Sequence, residues 1–202
     1  GRQATFVGGP LAGLPHTVRA YRNQTLAAFA ETTWGNGSIL VGGGIASVLA
    51  ILGVSVGGMI GILGVTSLSS LNLSPMAGLI TGYAATREMA PIVAAVGFAA
   101  QAGCRMTAEI GSMRISEEID ALEAQAIRPI PFVVGTRVIA GVLAIVPFYL
   151  ISLCLAYLSS RIVVSVVYGN SAGAYDRYVE AFVSPVDVVY STIKVVVFAV
   201  LV

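Results

Sequence analysis

The sequence predicts an all-α integral membrane protein, and three observations support this fold class. Only 10% of the 202 residues are charged, whereas a soluble globular domain carries about 25%. Hydrophobic residues make up 56% of the chain and the mean hydropathy is +0.88. No Asp, Glu, Lys or Arg occurs in residues 32–86, 89–104 or 138–160, and a bilayer crossing needs about 20 apolar residues. A soluble domain, a disordered chain and a disulfide scaffold are thereby excluded.

The first predicted element is an amphipathic helix, at about residues 14–34, that lies along the membrane interface. Its apolar face recurs at helical spacing and consists of Leu14, Val18, Tyr21, Thr25 and Phe29. Arg19 and Arg22 lie on other faces, and Trp34 suits the headgroup level.

Four spans follow, at about residues 39–64, 76–103, 132–160 and 185–202. Pro75 and the polar residues before it mark the turn between the first two spans. Ser184, Pro185 and Asp187 form a helix-start signal, because a capping serine precedes a first-turn proline and an early carboxylate. The last span would be about 27 Å long, which is close to one crossing. We predict one domain over the whole chain.

The distribution of Lys and Arg predicts a cytoplasmic amino terminus. With that orientation seven arginines face inward: Arg2, Arg19, Arg22, Arg105, Arg114, Arg128 and Arg137. Only Arg161 and Arg177 face outward, which fits the positive-inside rule.

The chain begins at Gly1 without a methionine and ends at Val202 within an apolar run. We therefore expect both termini to be trimmed and the sequence to be part of a longer protein. Cys104 and Cys154 are too few to form a disulfide framework, and we predict that both are buried small thiols.

Three charged residues lie within predicted membrane spans, where charge is energetically unfavourable. Arg87 and Glu88 lie about halfway along the second span, and Lys194, the only lysine, lies midway along the fourth. Such residues face a cavity, a partner or a substrate by default. We predict that Glu88 pairs with Lys194 inside the bundle and leaves Arg87 near a substrate headgroup, although a purely structural ion pair is the alternative. Pro91 should kink the second span and permit movement there.

The first span carries Gly53, Gly57 and Gly61 on one helical face. Such GxxxG steps let another backbone approach closely. Packing within the chain is the favoured interpretation, and a subunit interface or a lipid-gated seam are the alternatives.

Residues 116–125 predict a short amphipathic helix on the cytoplasmic side. Ser116 is the expected N-cap, and Glu117 and Glu118 suit the positive end of the helix dipole. An apolar stripe consists of Ile115, Ile119 and Leu122, and an acidic stripe consists of Glu117, Asp120 and Glu123. A docking helix for a cytoplasmic protein is favoured over a solvated helix. A metal site is a weak alternative, because neither His nor Cys accompanies the carboxylates.

Signatures of enzymes are missing from the sequence. The single histidine, His16, lies on the interfacial helix, and the single lysine is not part of a GxxxxGK[ST] phosphate-binding loop. A net charge of +1 gives no indication of nucleic-acid binding. We expect no cofactor and no catalytic residue in this chain.

Several segments of the sequence carry a family resemblance, namely Arg87-Glu-Met-Ala-Pro-Ile-Val-Ala-Ala95, Gly103, Thr107-Ala-Glu-Ile-Gly111, Met113-Arg114, Glu117-Glu-Ile-Asp-Ala-Leu-Glu123 and Ile193-Lys-Val-Val-Val-Phe198. Through them nearly the whole chain resembles the MlaE/YrbE permeases, the membrane subunits of MCE-associated ABC transporters. The amino-acid sequence of residues 103–118 is most similar to the actinobacterial YrbE branch, and to its B-type subunit.

The resemblance implies a non-catalytic half-transporter in the inner membrane, with a fifth span beyond Val202. It also implies a dimer with a second YrbE-type permease, hexameric MCE proteins on the outer side, and a cytoplasmic ABC ATPase dimer that binds ATP and Mg. The acidic helix (Ser116, Glu117, Glu118, Asp120, Leu122, Glu123) would be the coupling helix. Arg87, Glu88 and Lys194 would lie near the route of a phospholipid, a fatty or mycolic acid, or a sterol.

Two other classes of protein remain open from the residues. An ion-coupled secondary transporter would use Glu88 and Lys194, and would depend on a proton gradient without an ATPase. A scaffold subunit of a lipid-synthesis complex would associate with lipid enzymes instead.

Overall fold

A computed structural model of the chain describes residues 26, 27, 29, 30, 44–125 and 129–202. Every regular element among these residues is helical, which confirms the all-α fold class. Six helices lie within residues 44–125 and 129–202: α1 Gly44–Ser69, α2 Ser74–Ile115, α3 Glu118–Ala124, α4 Phe132–Val167, α5 Ala172–Phe182 and α6 Pro185–Leu201. Residues 26, 27, 29 and 30 are helical as well, and the rest of the predicted interfacial helix lies outside the described residues.

Three of these helices, α1, α2 and α4, are long and apolar enough to cross a membrane. They match the first three predicted spans. The fourth predicted span is different, because α6 has only 17 residues and is bent by 72° from α5. A fourth crossing would require α5 and α6 together as one broken span, and the same bend is also compatible with a re-entrant pair that does not cross.

The helices extend further than the apolar segments that predicted them. Helix α2 continues to Ile115 rather than to residue 103, and α4 continues to Val167 rather than to residue 160. Hydropathy marks where lipid contact ends, whereas the backbone hydrogen bonds of a helix continue until a cap or a proline stops them. The predicted turn after α1 is confirmed, since Pro75 lies in a 3₁₀ turn at Ser74–Met76.

Helix α5 was not predicted, because it lies in a polar, tyrosine-containing stretch at residues 161–183. The turn before it contains Gly169 at φ +67°. Tyr175 is buried at 2% exposure in a cluster with Val65, Ala77 and Val164. A Cβ on Gly78 would overlap the carbonyl oxygen of Tyr175, so α5 packs directly against the start of α2.

The described residues form two compact units. One comprises Ala46–Phe98 and Ile145–Leu201, and the other comprises Ala99–Ala144 with Ile45 and Val202. The prediction that Cys104 and Cys154 are buried is wrong, because both are exposed on the surface of the chain. The preference of cysteine for burial comes from soluble proteins, and a thiol on a membrane-spanning helix has no water to avoid.

Candidate functional site

The second span departs from α-helical geometry where its charges lie. Thr81–Met89 is a π-helix, in which each N–H bonds the carbonyl five residues earlier. Pro91 follows within the same span and is fully buried. Proline has no N–H for the carbonyl four residues earlier in an α-helix, and here that carbonyl belongs to Arg87.

Lys194 on α6 satisfies this carbonyl. Its Nζ donates a hydrogen bond of 2.8 Å to the Arg87 oxygen and lies 3.3 Å from Glu88 Oε1. The predicted Glu88–Lys194 pair is therefore confirmed. The backbone acceptor was not predicted, although the position of Pro91 four residues after Arg87 could have revealed it.

Arg87 has a carboxylate partner that the sequence reasoning missed. Its Nη2 donates to Asp187 Oδ1 at 2.8 Å, and its guanidinium lies 5.0 Å from the centre of the Tyr83 ring. The Ser184 hydroxyl donates to the other Asp187 oxygen at 3.0 Å, so the predicted helix-start residue also serves the ion pair. Asp187 and Lys194 are seven residues apart, which places them on one helical face, and this spacing was the available signal.

We call Arg87, Glu88, Asp187 and Lys194 the charge cluster. Its position corrects the prediction of a pair inside the bundle, because the Arg87, Glu88 and Lys194 side chains are 46%, 56% and 46% exposed. Asp187 is 14% exposed. Exposed apolar or aromatic side chains occur near the cluster on both helices, namely Tyr83, Ile92, Tyr190 and Ile193. The cluster has no net charge and faces outward from α2 and α6.

The predicted coupling helix begins later than expected. Ser116 ends α2, since its N–H and its hydroxyl both donate to the Ser112 carbonyl, at 2.9 and 3.0 Å. Glu117 follows in the left-handed conformation at φ 60°, ψ 13°, and α3 is Glu118–Ala124. The predicted N-cap role of Ser116 is therefore wrong. A left-handed residue just after a helix is a common C-terminal signal, and here it decides the local geometry.

The two predicted stripes of α3 are present in part. Ile115 is 86% exposed, while Ile119 and Leu122 are half-buried. Glu117, Glu118 and Glu123 are exposed. Asp120 pairs with Arg114 of α2 at 2.6 Å, so one predicted docking carboxylate holds α3 against the preceding helix.

A second ion pair lies in the same compact unit. Arg137 Nη2 donates to Glu109 Oε1 at 2.5 Å, and Arg137 Nη1 donates to the Val133 carbonyl at 3.0 Å. Glu109 also lines an open groove along one face of α2, together with Arg105, Ala108 and Ser112. Among the described residues, no group of His, Cys, Asp or Glu could hold a metal ion.

The three predicted packing glycines of α1 face α4, and both sides of this contact lie in the unit of Ala46–Phe98 and Ile145–Leu201. Their closest neighbours are Ser152 for Gly53, Ala156 for Gly57 and Ser160 for Gly61. A Cβ on Gly53 would lie 2.5 Å from the Ser152 carbonyl oxygen, and one on Gly57 would overlap the Ala156 backbone. This face is therefore used for packing inside the chain, as the favoured interpretation predicted.

Long apolar helices with charges in their middle define a multi-pass membrane protein with a polar site in its spans. The model of the family described as Permease MlaE matches residues 36–202. The chain belongs to this family.

Individual relatives agree with this assignment. The chain is 30% identical to the intermembrane phospholipid transport system permease protein MlaE of Haemophilus influenzae over 78% of its length and 61% of the relative. It is 30% identical to the chloroplast protein TRIGALACTOSYLDIACYLGLYCEROL 1 of Arabidopsis thaliana, over 66% of the chain and 38% of the relative. A probable ABC transporter permease protein of Synechocystis is 32% identical over 62% of the chain and 48% of the relative. The chain thus spans 38% to 61% of the length of these relatives.

Proposed function

We propose that the chain is the membrane subunit of an ATP-driven, MCE-type lipid transporter in the inner membrane. A single observation carries the proposal: four charged side chains of the apolar helices α2 and α6 lie together, and three of them are about half exposed. The charge and hydropathy pattern supports a cytoplasmic amino terminus. The chain's similarity to the YrbE branch supports assignment to the actinobacterial B-type subunits.

Charge on a lipid-facing surface costs several kcal/mol per residue, so the face that carries the charge cluster needs a cover. A second YrbE-type permease against α2 and α6 would supply it and would leave a cavity at the cluster. Arg87 and Lys194 can bond the anionic part of a lipid headgroup there, and the neighbouring Ile92 and Ile193 suit its acyl chains. The cargo is an amphiphile of the phospholipid, fatty or mycolic acid, or sterol class.

The short helix α3 is the proposed contact with a cytoplasmic ABC ATPase dimer, which would bind the ATP and Mg. Ile115 and the exposed carboxylates of Glu117, Glu118 and Glu123 are available on it. Closure of the ATPases would push α3 and move α1 and α2 around Pro91. An amphiphile would then pass between the cavity and the tunnel of hexameric MCE proteins on the outer side.

Removing the charges of Glu117, Glu118 and Glu123 tests the ATPase contact and leaves the Arg114–Asp120 ion pair in place. We expect this triple variant to insert into membranes normally and to lose binding of the ATPase or the coupling of hydrolysis to transport. An Arg105→Gln variant, on the same side of the membrane, serves as the control for a general loss of surface charge. Normal coupled transport in the triple variant would contradict the assignment of α3.

Reconstitution of the full-length complex tests the function itself. The probe is a fluorescent phosphatidylethanolamine in phosphatidylglycerol-containing liposomes, and its ATP-dependent removal from the bilayer is measured. We expect Arg87→Ala to reduce the rate strongly. The matched control is Arg161→Ala, because Arg161 also forms a 2.8 Å bond to an aspartate and is also 46% exposed, but lies outside the charge cluster.

The alternatives give different results in the same preparation. Lipid movement that needs a proton gradient and no ATPase would identify an ion-coupled secondary transporter. Co-purification of lipid-synthesis enzymes without an ATPase would identify a scaffold subunit. Mass spectrometry of the gently solubilised complex reports these partners, and any bound lipid, in one measurement.

A further inference from the structure

The π-helix that carries Arg87 and Glu88 is bound to α4 by two pairs of hydroxyl groups, one buried and one partly buried. Thr81 Oγ1 lies 2.8 Å from Ser160 Oγ, and Thr86 Oγ1 is hydrogen-bonded to the Tyr157 hydroxyl. Thr81, Thr86 and Ser160 are at most 1% exposed. We call these two hydrogen bonds the hydroxyl clamp.

The hydroxyl clamp depends on the π geometry. In an α-helix, residues five positions apart point in directions that differ by about 140°, so Thr81 and Thr86 could not both face α4. A π turn closes on the fifth residue and brings them to the same side. Each threonine also bonds the carbonyl four residues earlier in its own helix, Ala77 at 3.3 Å and Gly82 at 2.5 Å.

The α4 side of the clamp is itself supported. The Tyr175 hydroxyl of α5 donates to the Tyr157 carbonyl at 3.3 Å. Gly82, in the middle of the π-helix, has no side chain to keep α5 away, and a Cβ there would lie 3.2 Å from Val183. The π-helix is thus held by α4 on one side and approached closely by α5 and the residue after it.

The π geometry also determines which way the charges point. One additional residue in a turn rotates the following side chains by about 100° relative to an uninterrupted α-helix. Arg87 and Glu88 are the seventh and eighth residues of the π-helix. Return of this segment to α geometry would turn them away from Asp187 and Lys194 and break both ion pairs.

We propose that the Thr86–Tyr157 hydrogen bond, together with Thr81–Ser160, positions the charge cluster by holding Thr81–Met89 in π geometry. Thr86 and Tyr157 are positioning residues, since neither belongs to the charge cluster. The consequence for transport rests on the proposed function, whereas the consequence for the Glu88–Lys194 contact does not.

The first experiment measures the coupling between Glu88 and Lys194 in the purified full-length complex. Thermal unfolding temperatures of Glu88→Gln, Lys194→Met and the double variant show non-additive shifts if the two residues interact. We expect this non-additivity to be lost when the three variants are repeated in a Thr86→Val or Tyr157→Phe background. It should persist in Thr86→Ser, which keeps the hydroxyl, and in Ser152→Ala.

Ser152→Ala is a matched control, because it removes a different buried hydroxyl of α4. Ser152 is 5% exposed and donates to the Leu49 carbonyl of α1 at 2.7 Å, away from the π-helix. A purely structural role of the clamp would lower the unfolding temperature without changing the coupling between Glu88 and Lys194. Persistence of that coupling in Thr86→Val and Tyr157→Phe would overturn the inference.

The second experiment measures ATP-dependent removal of the fluorescent phosphatidylethanolamine. We expect Thr86→Val and Tyr157→Phe to be slower by about tenfold or more, because small misplacements of positioned groups have effects of this size. Thr86→Ser and Ser152→Ala should remain near the wild-type rate. Wild-type rates in Thr86→Val and Tyr157→Phe would contradict the inference.

The two experiments separate the inference from the proposed function. If the wild-type complex moves no lipid, the proposed function fails, while the unfolding measurements still decide whether the clamp positions the charges. Failure of both Thr86→Val and Tyr157→Phe to assemble, with normal assembly of Ser152→Ala, would show that the clamp is a folding requirement and would overturn a positioning role.

Discussion

Lys194 Nζ donates a 2.8 Å hydrogen bond to the backbone carbonyl of Arg87, the carbonyl that Pro91 deprives of its α-helical donor. A broken helix within a membrane needs another group to satisfy the freed backbone oxygen. Here the group is the only lysine of the chain, and it also pairs with Glu88. The proline, the lysine and the charge cluster therefore form one structural unit.

This relationship predicts that Pro91 and Lys194 are energetically coupled. Lys194→Met should destabilise the protein by about 1 kcal/mol or more, as loss of a hydrogen bond from a charged donor does. In a Pro91→Ala background the restored N–H can bond the Arg87 carbonyl, so the same substitution should cost less. Thermal unfolding of the two single variants and the double variant measures the difference. Glu88→Gln is the control, and its effect should change little with Pro91→Ala.

The two ion pairs of the charge cluster should respond differently to exchange of their charges. Single exchanges at Arg87 or Asp187 should each reduce lipid transport about tenfold, because they bring like charges together. The double exchange Arg87→Asp with Asp187→Arg should restore much of it.

The double exchange Glu88→Lys with Lys194→Glu should restore less, because it removes the donor to the Arg87 carbonyl. Transport rates of all six variants give the comparison. Equal recovery by both double exchanges would show that the backbone contact of Lys194 has no importance.

The effect of substituting a glycine of α1 should depend on whether α4 places backbone or side-chain atoms next to it. Gly57→Ala places a methyl group into the Ala156 backbone, and we expect a loss of about 1–3 kcal/mol, typical of overpacking. Gly58→Ala is the matched control, since the nearest atom is a side-chain atom, Ser159 Oγ at 3.3 Å, rather than backbone. The yield and unfolding temperature of the two variants should differ clearly. A Gly57→Ala variant that folds normally but does not dimerise would favour a subunit interface instead.

Replacement of Glu117 by glycine should stabilise the protein. Its left-handed conformation at φ 60° costs about 1 kcal/mol for a residue with a side chain, and glycine adopts it freely. We expect Glu117→Gly to raise the unfolding temperature slightly, whereas Glu117→Ala should leave it unchanged or lower.

The Glu117→Gly and Glu117→Ala variants also separate the effect of backbone conformation from the effect of charge on the proposed ATPase contact. If both variants lose ATPase binding equally, the carboxylate is the required feature. Ala121→Gly, in the middle of α3, is the opposite control and should lower stability, because glycine is unfavourable in a helix interior.

Much of the candidate site followed from residue positions along the chain. Arg87, Glu88 and Lys194 were recognisable because each interrupts an apolar segment, and pairing by opposite charge found Glu88–Lys194. Asp187 was interpreted only as part of a helix start, since it lies in the first turn of α6. Asp187 lies two helical turns before Lys194 and therefore on the same face of α6. This spacing would have identified Asp187 as the partner of Arg87 if a partner had been sought on that face.

The amino-acid sequence by itself determined the membrane environment, the helical fold class, the first three spans, the glycines of the contact with α4 and three of the four residues of the charge cluster. These properties depend on composition, charge spacing and turn residues, which act locally. The tertiary structure alone decided the π-helix, the orientation of the charges, the pairing of Asp187 with Arg87 and the packing of α5. Thr81–Met89 adopts π geometry where Tyr157 and Ser160 of α4 and Lys194 of α6 supply hydrogen-bond partners. Those partners lie 70 or more positions away in the chain, so no local pattern could specify the geometry.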